Sequence, residues 1–216
     1  NLFFHKEFHG FLEGHAITMN PVIPAVMYLD LASKNLREHG WTCCEELVYT
    51  NFKVLAGGKL DNFNEQGDWF QIRTSYEGNF ANITFWHGEK KLAASLRVEK
   101  VNQENKNIIF KRHEDCVVFS ELDYGKERFG KYYGTKLFHT GFFKSIEAYN
   151  CSKKFVAVDI KKAPPSLPKE MDSIYPINLL DAGLQATVLY TVNFYDKPSV
   201  PMSFKRAVFS KGVREG

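Results

Sequence analysis

Residues 14–32 read Gly14-His15-Ala16-Ile17-Thr18-Met19-Asn20-Pro21-Val22-Ile23-Pro24-Ala25-Val26-Met27-Tyr28-Leu29-Asp30-Leu31-Ala32. One histidine precedes two prolines, and an almost wholly apolar run follows. The run predicts a helix over Val22–Leu36. Its apolar positions surround the axis instead of forming one stripe, and a helix apolar all round is buried all round. Lys34, Arg37 and His39 suit the negative end of the helix, and Gly40 suits its stop. A buried helix needs elements to cover it, so the reading moves outward to find them.

Strand signals follow at once. Glu46–Leu55, Trp69–Tyr76, Phe80–Trp86 and a run carrying Leu92, Ala94, Leu96 and Val98 on one face read as four antiparallel strands. Gly57-Gly58, Glu77-Gly78-Asn79 and His87-Gly88 supply turns between them. An aromatic segment at Phe3–Leu12 reads as a further short strand. Gln103–Asn107 is a polar break that divides the chain into halves, 1–102 and 103–216. Beyond it, Asn107–Phe110, Phe142–Tyr149 and Phe155–Ile160 read as strands, and Ala163–Pro168 as an extended loop. A second apolar helix is predicted over Ile177–Val192, with a last strand at Ser203–Ser210. The second half carries fewer strands than the first and reads as incomplete. The class is α+β: two long buried helices, each wrapped by an antiparallel sheet, an arrangement known as a double hotdog.

Composition excludes several functions. The 216 residues carry a formal net charge of +3, with Lys and Arg scattered in short runs. A nucleic-acid binder would show a basic stripe with interleaved aromatics. No apolar run is long enough to span a bilayer. The four cysteines (Cys43, Cys44, Cys116, Cys151) form no CxxC pair and no zinc spacing, so reduced thiols and a cytoplasmic location are expected.

Two helix starts carry polar residues that packing alone does not require. His15 stands ahead of the first helix. Asp181 and Gln185 lie four apart in the second, on one face. Alone, His15 reads as a histidine bonded to backbone, and Asp181 as a carboxylate near a helix N-terminus. Together, in equivalent places of the two halves, they form a base and an acid delivered to one apolar cleft, which is a layout for proton transfer.

The stretch His15–Pro24 resembles the HxxxGxxxxP motif of polyketide synthase dehydratase domains, and Pro21-Val22-Ile23-Pro24 fits its polyunsaturated fatty acid synthase version. Leu180–Gln185 looks like their DxxxQ/H motif, and Leu137–Phe143 looks like the LFHGPxF segment of the variants in polyunsaturated fatty acid and enediyne synthases. The motifs come in the family's order. The resemblance implies a β-hydroxyacyl-thioester dehydratase (a lyase) of polyketide or fatty acid biosynthesis. His15 would remove the α-proton, a protonated Asp181 would assist the leaving hydroxyl, and Gln185 would orient Asp181. A backbone amide at Val22 or Ile23 would polarise the thioester carbonyl, with Pro24, Met19, Tyr133 and His139 lining or shaping the cleft. His139 also reads as a bonded structural histidine. No metal or redox cofactor is implied. The substrate would arrive on the phosphopantetheine arm of an acyl carrier protein, alongside neighbouring synthase domains. Hotdog sheets often pair edge to edge, which allows a homodimer. Met19 replaces the motif's glycine, and Thr140-Gly141 its Gly-Pro. The other readings of such a chain are a double-bond isomerase or cyclase on the same fold, or a non-catalytic carrier-protein-binding scaffold.

Overall fold

The computed structural model describes residues 1–17, 20–41, 47–100, 138–151, 153, 156–160 and 173–208. Among them run β1 (Leu2–Phe4), α1 (Lys6–His9), β2 (Ala16–Ile17), β3 (Asn20–Pro21), α2 (Ala25–Glu38) and β4 (Leu47–Val54). Then come β5 (Asp68–Glu77), β6 (Phe80–His87), β7 (Lys91–Lys100), β8 (Ile146–Cys151), β9 (Val156–Ile160), α3 (Ile177–Tyr195) and β10 (Ser203–Val208).

The first long helix starts at Ala25, three residues later than its apolar run suggests. Pro24 caps it in an extended conformation, and the Ile23 amide is held by the Gly58 carbonyl. Its end is as the sequence implies. Gly40 takes a left-handed φ of 82°, and Gly40 and Trp41 donate to the carbonyls of Arg37 and Leu36. This pair of bonds closes the last turn and needs a residue without Cβ strain. Tyr28, Leu29, Ala32 and Leu36 of α2 pack into one core with Tyr49, Phe52, Phe70, Ile83 and Phe85 of the sheet. Tyr28 meets the ring of Phe85 edge-on at 4.8 Å.

That sheet has six antiparallel strands in the order β1-β5-β6-β7-β4-β10. Its last member comes from the far end of the chain: Ser203 pairs with Lys53 and Val208 with Val48. The four strands read from alternation are all present. The aromatic segment is not one strand. After Phe4 the chain turns into α1, because the His5 ring accepts from the Glu7 amide and starts a helical turn.

The second long helix, α3, runs slightly past its expected end and lies on the antiparallel pair β8–β9, with Ile146 and Tyr149 against Ala182, Val188 and Leu189. The strand expected from Phe142 begins only at Ile146. Gly141 has a φ of 51° and opens a tight turn over Gly141–Phe143, which rules out extended backbone there. The polar break at 103–107, the strand at 107–110, the loop at 163–168 and Cys43, Cys44 and Cys116 lie outside the described residues. Cys151 is a free thiol. Among the described residues, no helix is long and apolar enough to cross a membrane.

A buried carboxylate ties the two helices. Asp30 of α2 accepts from the Ile174 amide at 2.6 Å, the Tyr175 amide at 3.1 Å and the Ser173 hydroxyl at 2.9 Å. Lys34, one turn on, lies 3.2 Å from its other oxygen. Beside it the hydroxyls of Tyr49 and Tyr175 meet at 2.5 Å. These bonds fix the segment leading into Pro176 and the first turn of α3.

Candidate active site

His15 follows a tight 3₁₀ turn, Gly10–Gly14, and stands where the chain enters the short β2–β3 pair. Its Nδ1 lies 2.8 Å from the Val22 carbonyl. A carbonyl can only accept, so Nδ1 is the donor, and in the neutral imidazole the lone pair belongs to Nε2. That lone pair faces Asp181 of α3, with 3.9 Å between Nε2 and Oδ1. The separation is too long for a hydrogen bond. The two groups face one another across a gap.

Asp181 is 2% exposed and Gln185 1%. The Gln185 amide nitrogen donates to Asp181 Oδ2 and to the Phe143 carbonyl, both at 2.8 Å. Both amide hydrogens are thus committed, and the carbonyl partner fixes which end of the amide is nitrogen. Burial raises the Asp181 carboxyl above its ordinary range, against smaller opposing effects of His15 and Gln185. With Gln185 donating to Oδ2, the acid proton belongs on Oδ1, the oxygen that faces His15.

His139 completes the cluster. Its Nε2 lies 3.6 Å from Asp181 Oδ2, and its ring centroid 5.0 Å from that of His15. Burial, and then the nearby imidazole of His15, push its pKa down to about 3, so the ring stays neutral in ordinary buffers. Its Nδ1 is buried with no hydrogen-bond partner among the described residues. Phe138 stacks on His139 at 4.3 Å, and Phe143 meets His15 at 5.1 Å. The walls are aromatic, and the polar atoms converge inside.

Sequence reasoning missed the contact that brings His15 and His139 together. The Thr140 amide donates to the Gly14 carbonyl at 2.8 Å. A Cβ on Gly14 would collide with the Thr140 carbonyl oxygen. Only glycine permits this approach of two backbones, and the neighbours of the pair are His15 and His139. The one signal in the sequence is the glycine immediately before the histidine.

Of the expected site residues, His15, Asp181, Gln185 and His139 converge. Val22 contributes the carbonyl that sets the His15 tautomer. The polarising role expected of the Val22 and Ile23 amides meets an obstacle. The first donates to the His15 carbonyl and the second to the Gly58 carbonyl, each at 2.9 Å, so neither is free for a thioester. Both bonds follow from the chain doubling back through β2–β3 and against Lys59, where Val22 forms a bridge. Pro24 is the helix cap. Met19 and Tyr133 lie outside the described residues.

No family model matches the chain, and no curated protein matches it. Solved structures do. The dehydratase domain from the CurF module of curacin polyketide synthase is 17% identical, with a TM-score of 0.70 over 94% of this chain and 74% of that one. Two inactive variants of the CurK dehydratase also match. The Asp→Asn variant is 16% identical with a TM-score of 0.73, over 98% of this chain and 77% of that one. The His→Phe variant is 14% identical with a TM-score of 0.68, over 98% and 76%. The helices, the antiparallel sheet and the order in which they are joined are therefore those of polyketide synthase dehydratase domains.

Proposed function

We propose that the chain is a dehydratase that removes water from a β-hydroxyacyl thioester to give an α,β-enoyl thioester. The observation that carries this reading is the facing pair: His15 Nε2 and a buried Asp181 Oδ1, 3.9 Å apart beside the rings of Phe138 and Phe143. The α-hydrogen and the β-hydroxyl of such a substrate sit on adjacent carbons. A base and an acid a few ångströms apart can therefore reach both from one side.

His15 Nε2 takes the α-proton, and the C–H electrons form the α,β double bond. The β C–O bond breaks, and Asp181 gives its Oδ1 proton to the departing oxygen, which leaves as water. His15 is then protonated and Asp181 ionised. Return of one proton from imidazolium to carboxylate resets the pair. Gln185 holds Asp181 from behind throughout. His139, neutral and packed on Phe138, lines the cleft, with Pro24, Met19 and Tyr133 as further shaping residues. The chemistry uses no dissociable cofactor.

Support comes from the two CurK variants, where loss of an Asp or of a His gives an inactive dehydratase. The double hotdog architecture belongs to the same reading, with residues 1–102 supplying the base and 103–216 the acid. So do delivery of the acyl group by an acyl carrier protein, a place among synthase domains in polyketide or fatty acid synthesis, and a cytoplasmic setting.

The test is mass spectrometry of a β-hydroxyacyl carrier protein incubated with the chain. Loss of one water is expected, and its absence in His15→Ala and Asp181→Asn. Turnover that survives either substitution would overturn the assignment.

A further inference from the structure

We propose that His15, His139 and Asp181 also form a binding site for a divalent transition-metal ion, with Zn²⁺ the fitting one, and that metal occupancy and dehydration exclude each other. One donor atom from each residue lies within 4.8 Å of the other two, and all three residues are buried. The two rings face different oxygens of the carboxylate: His139 Nε2 lies 3.6 Å from Asp181 Oδ2, and His15 Nε2 lies 3.9 Å from Asp181 Oδ1. In a tetrahedral zinc site with bonds near 2.0–2.1 Å, donors stand roughly 3.3 Å apart. With the three donor atoms within 4.8 Å of one another, the cluster reaches that spacing by closing at most about 1.5 Å at its widest pair.

The donor set selects the ion. Two imidazoles and one carboxylate suit Zn²⁺ and its borderline neighbours. Ca²⁺ and Mg²⁺ require mostly oxygen ligands, whereas two of these three donors are imidazole nitrogens. Three protein ligands leave the fourth tetrahedral position for water or a small anion. The surrounding contacts also match. Ligating histidines commonly donate their second ring nitrogen to a carbonyl or carboxylate, and ligating carboxylates are themselves hydrogen-bonded. His15 Nδ1 donates to the Val22 carbonyl, and Gln185 donates to Asp181. Among the described residues His139 Nδ1 has no such partner, and its ring packs on Phe138. It is the least anchored ligand, so binding is reversible.

Mutual exclusion follows from the atoms. The lone pair of His15 Nε2 that would take a substrate proton is the one that would bind the ion. Asp181 cannot coordinate through Oδ1 and hold a proton there. This consequence rests on the dehydratase reading, whereas the binding itself does not.

The experiment titrates the metal-free full chain with Co²⁺, whose visible spectrum reports tetrahedral coordination, and then displaces it with Zn²⁺ followed by calorimetry. One ion per chain is expected, with affinity at least tenfold weaker in His139→Ala and in Asp181→Asn, and unchanged in His39→Ala at the exposed end of α2. If His139→Ala fails to fold by circular dichroism, His139→Phe, which fills the same aromatic surroundings, takes its place. No binding at micromolar Zn²⁺, or affinity unaltered by both cluster variants, overturns the site. Dehydration of the β-hydroxyacyl carrier protein is then followed with Zn²⁺ and after a chelator. Inhibition of at least tenfold, reversed by the chelator, is expected. Full turnover with the site filled overturns the exclusion. Zn²⁺ binding in a chain that never dehydrates leaves the site standing and removes the proposed function. Dehydration without binding does the reverse.

Discussion

Asp30 and Tyr175 tie α2 to the start of α3: the carboxylate on α2 accepts the Tyr175 amide at 3.1 Å, just before the segment that becomes α3. The same carboxylate serves Ile174 and Ser173. Asp30→Ala leaves the Ile174 and Tyr175 amides without this acceptor in a largely buried place, while the Ser173 hydroxyl keeps the Tyr175 carbonyl at 2.7 Å. An unmet buried polar group costs about 1–3 kcal/mol, so a loss of roughly 3 kcal/mol or more is expected. Asp30→Asn keeps one acceptor oxygen and should lose less. Denaturant unfolding of the three proteins checks the order.

Gly14 sits against the Thr140 carbonyl with no room for a methyl group. Gly14→Ala must push the two backbones apart and carry His15 away from His139 and Asp181. Misplacing a reacting group by about an ångström can cost roughly a hundredfold in rate. The variant is expected to keep its helical and sheet content while turnover of the carrier-bound substrate falls at least tenfold. Turnover kinetics beside circular dichroism separates loss of alignment from loss of fold.

Gln185→Ala removes both the donor to Asp181 and the donor to the Phe143 carbonyl. Asp181 keeps its burial but loses its support. The expected result is a kcat reduced by roughly tenfold or more with little change in KM, because substrate contacts are intact while the acid is misaligned. An unchanged kcat would remove the orienting role.

Asp181→Asn should abolish dehydration and at the same time make the protein more stable, by an amount that grows with pH. The folded chain holds this carboxyl above its ordinary value of 3.8, chiefly through burial. Below 3.8 both folded and unfolded forms are protonated and the acid has no cost. As pH rises from there toward the higher folded value, the unfolded chain ionises first and stability falls. Asparagine carries no such penalty. Thermal melts of both proteins across that range, with a chelator present, should diverge as pH increases. The wild-type rate should also decline as pH climbs through the folded value, since the acid form is lost.

Gly183 offers a contrast with Gly14. It is exposed on α3, and an added Cβ meets nothing within 4 Å. Gly183→Ala should stabilise the chain by about 0.5–1 kcal/mol through helix propensity alone, leaving turnover unchanged. Denaturant unfolding measures the gain.

The two long helices and the strands β4 to β7 were legible because their residue patterns repeat locally. His15, Asp181 and Gln185 were legible for a different reason: polar groups among apolar neighbours demand partners, and these three supply one another. What local pattern does not encode is contact between distant backbones. The Gly14–Thr140 approach, the capture of the Ile23 amide by Gly58 and the pairing of β10 with β4 each depend on where a remote segment lands. Asp30 is an intermediate case. An acid inside a helix apolar all round signals a buried partner, but the partners are backbone amides at Ile174 and Tyr175, which have no signature of their own.

The place of β10 beside β4 has a consequence for assembly. While the chain emerges from the ribosome, α2 and the strands up to β7 can gather early, but β4 keeps one row of peptide groups bare until β10 arrives. An open edge is a template for any other extended chain, including a second nascent copy. Closing it early from within is impossible, because the matching strand is made last among the described elements. Such a distant pairing also forms slowly. The interval between synthesis of β4 and its capping is therefore when this protein is most exposed to misassociation. A chain that stopped short of β10 would make that interval permanent.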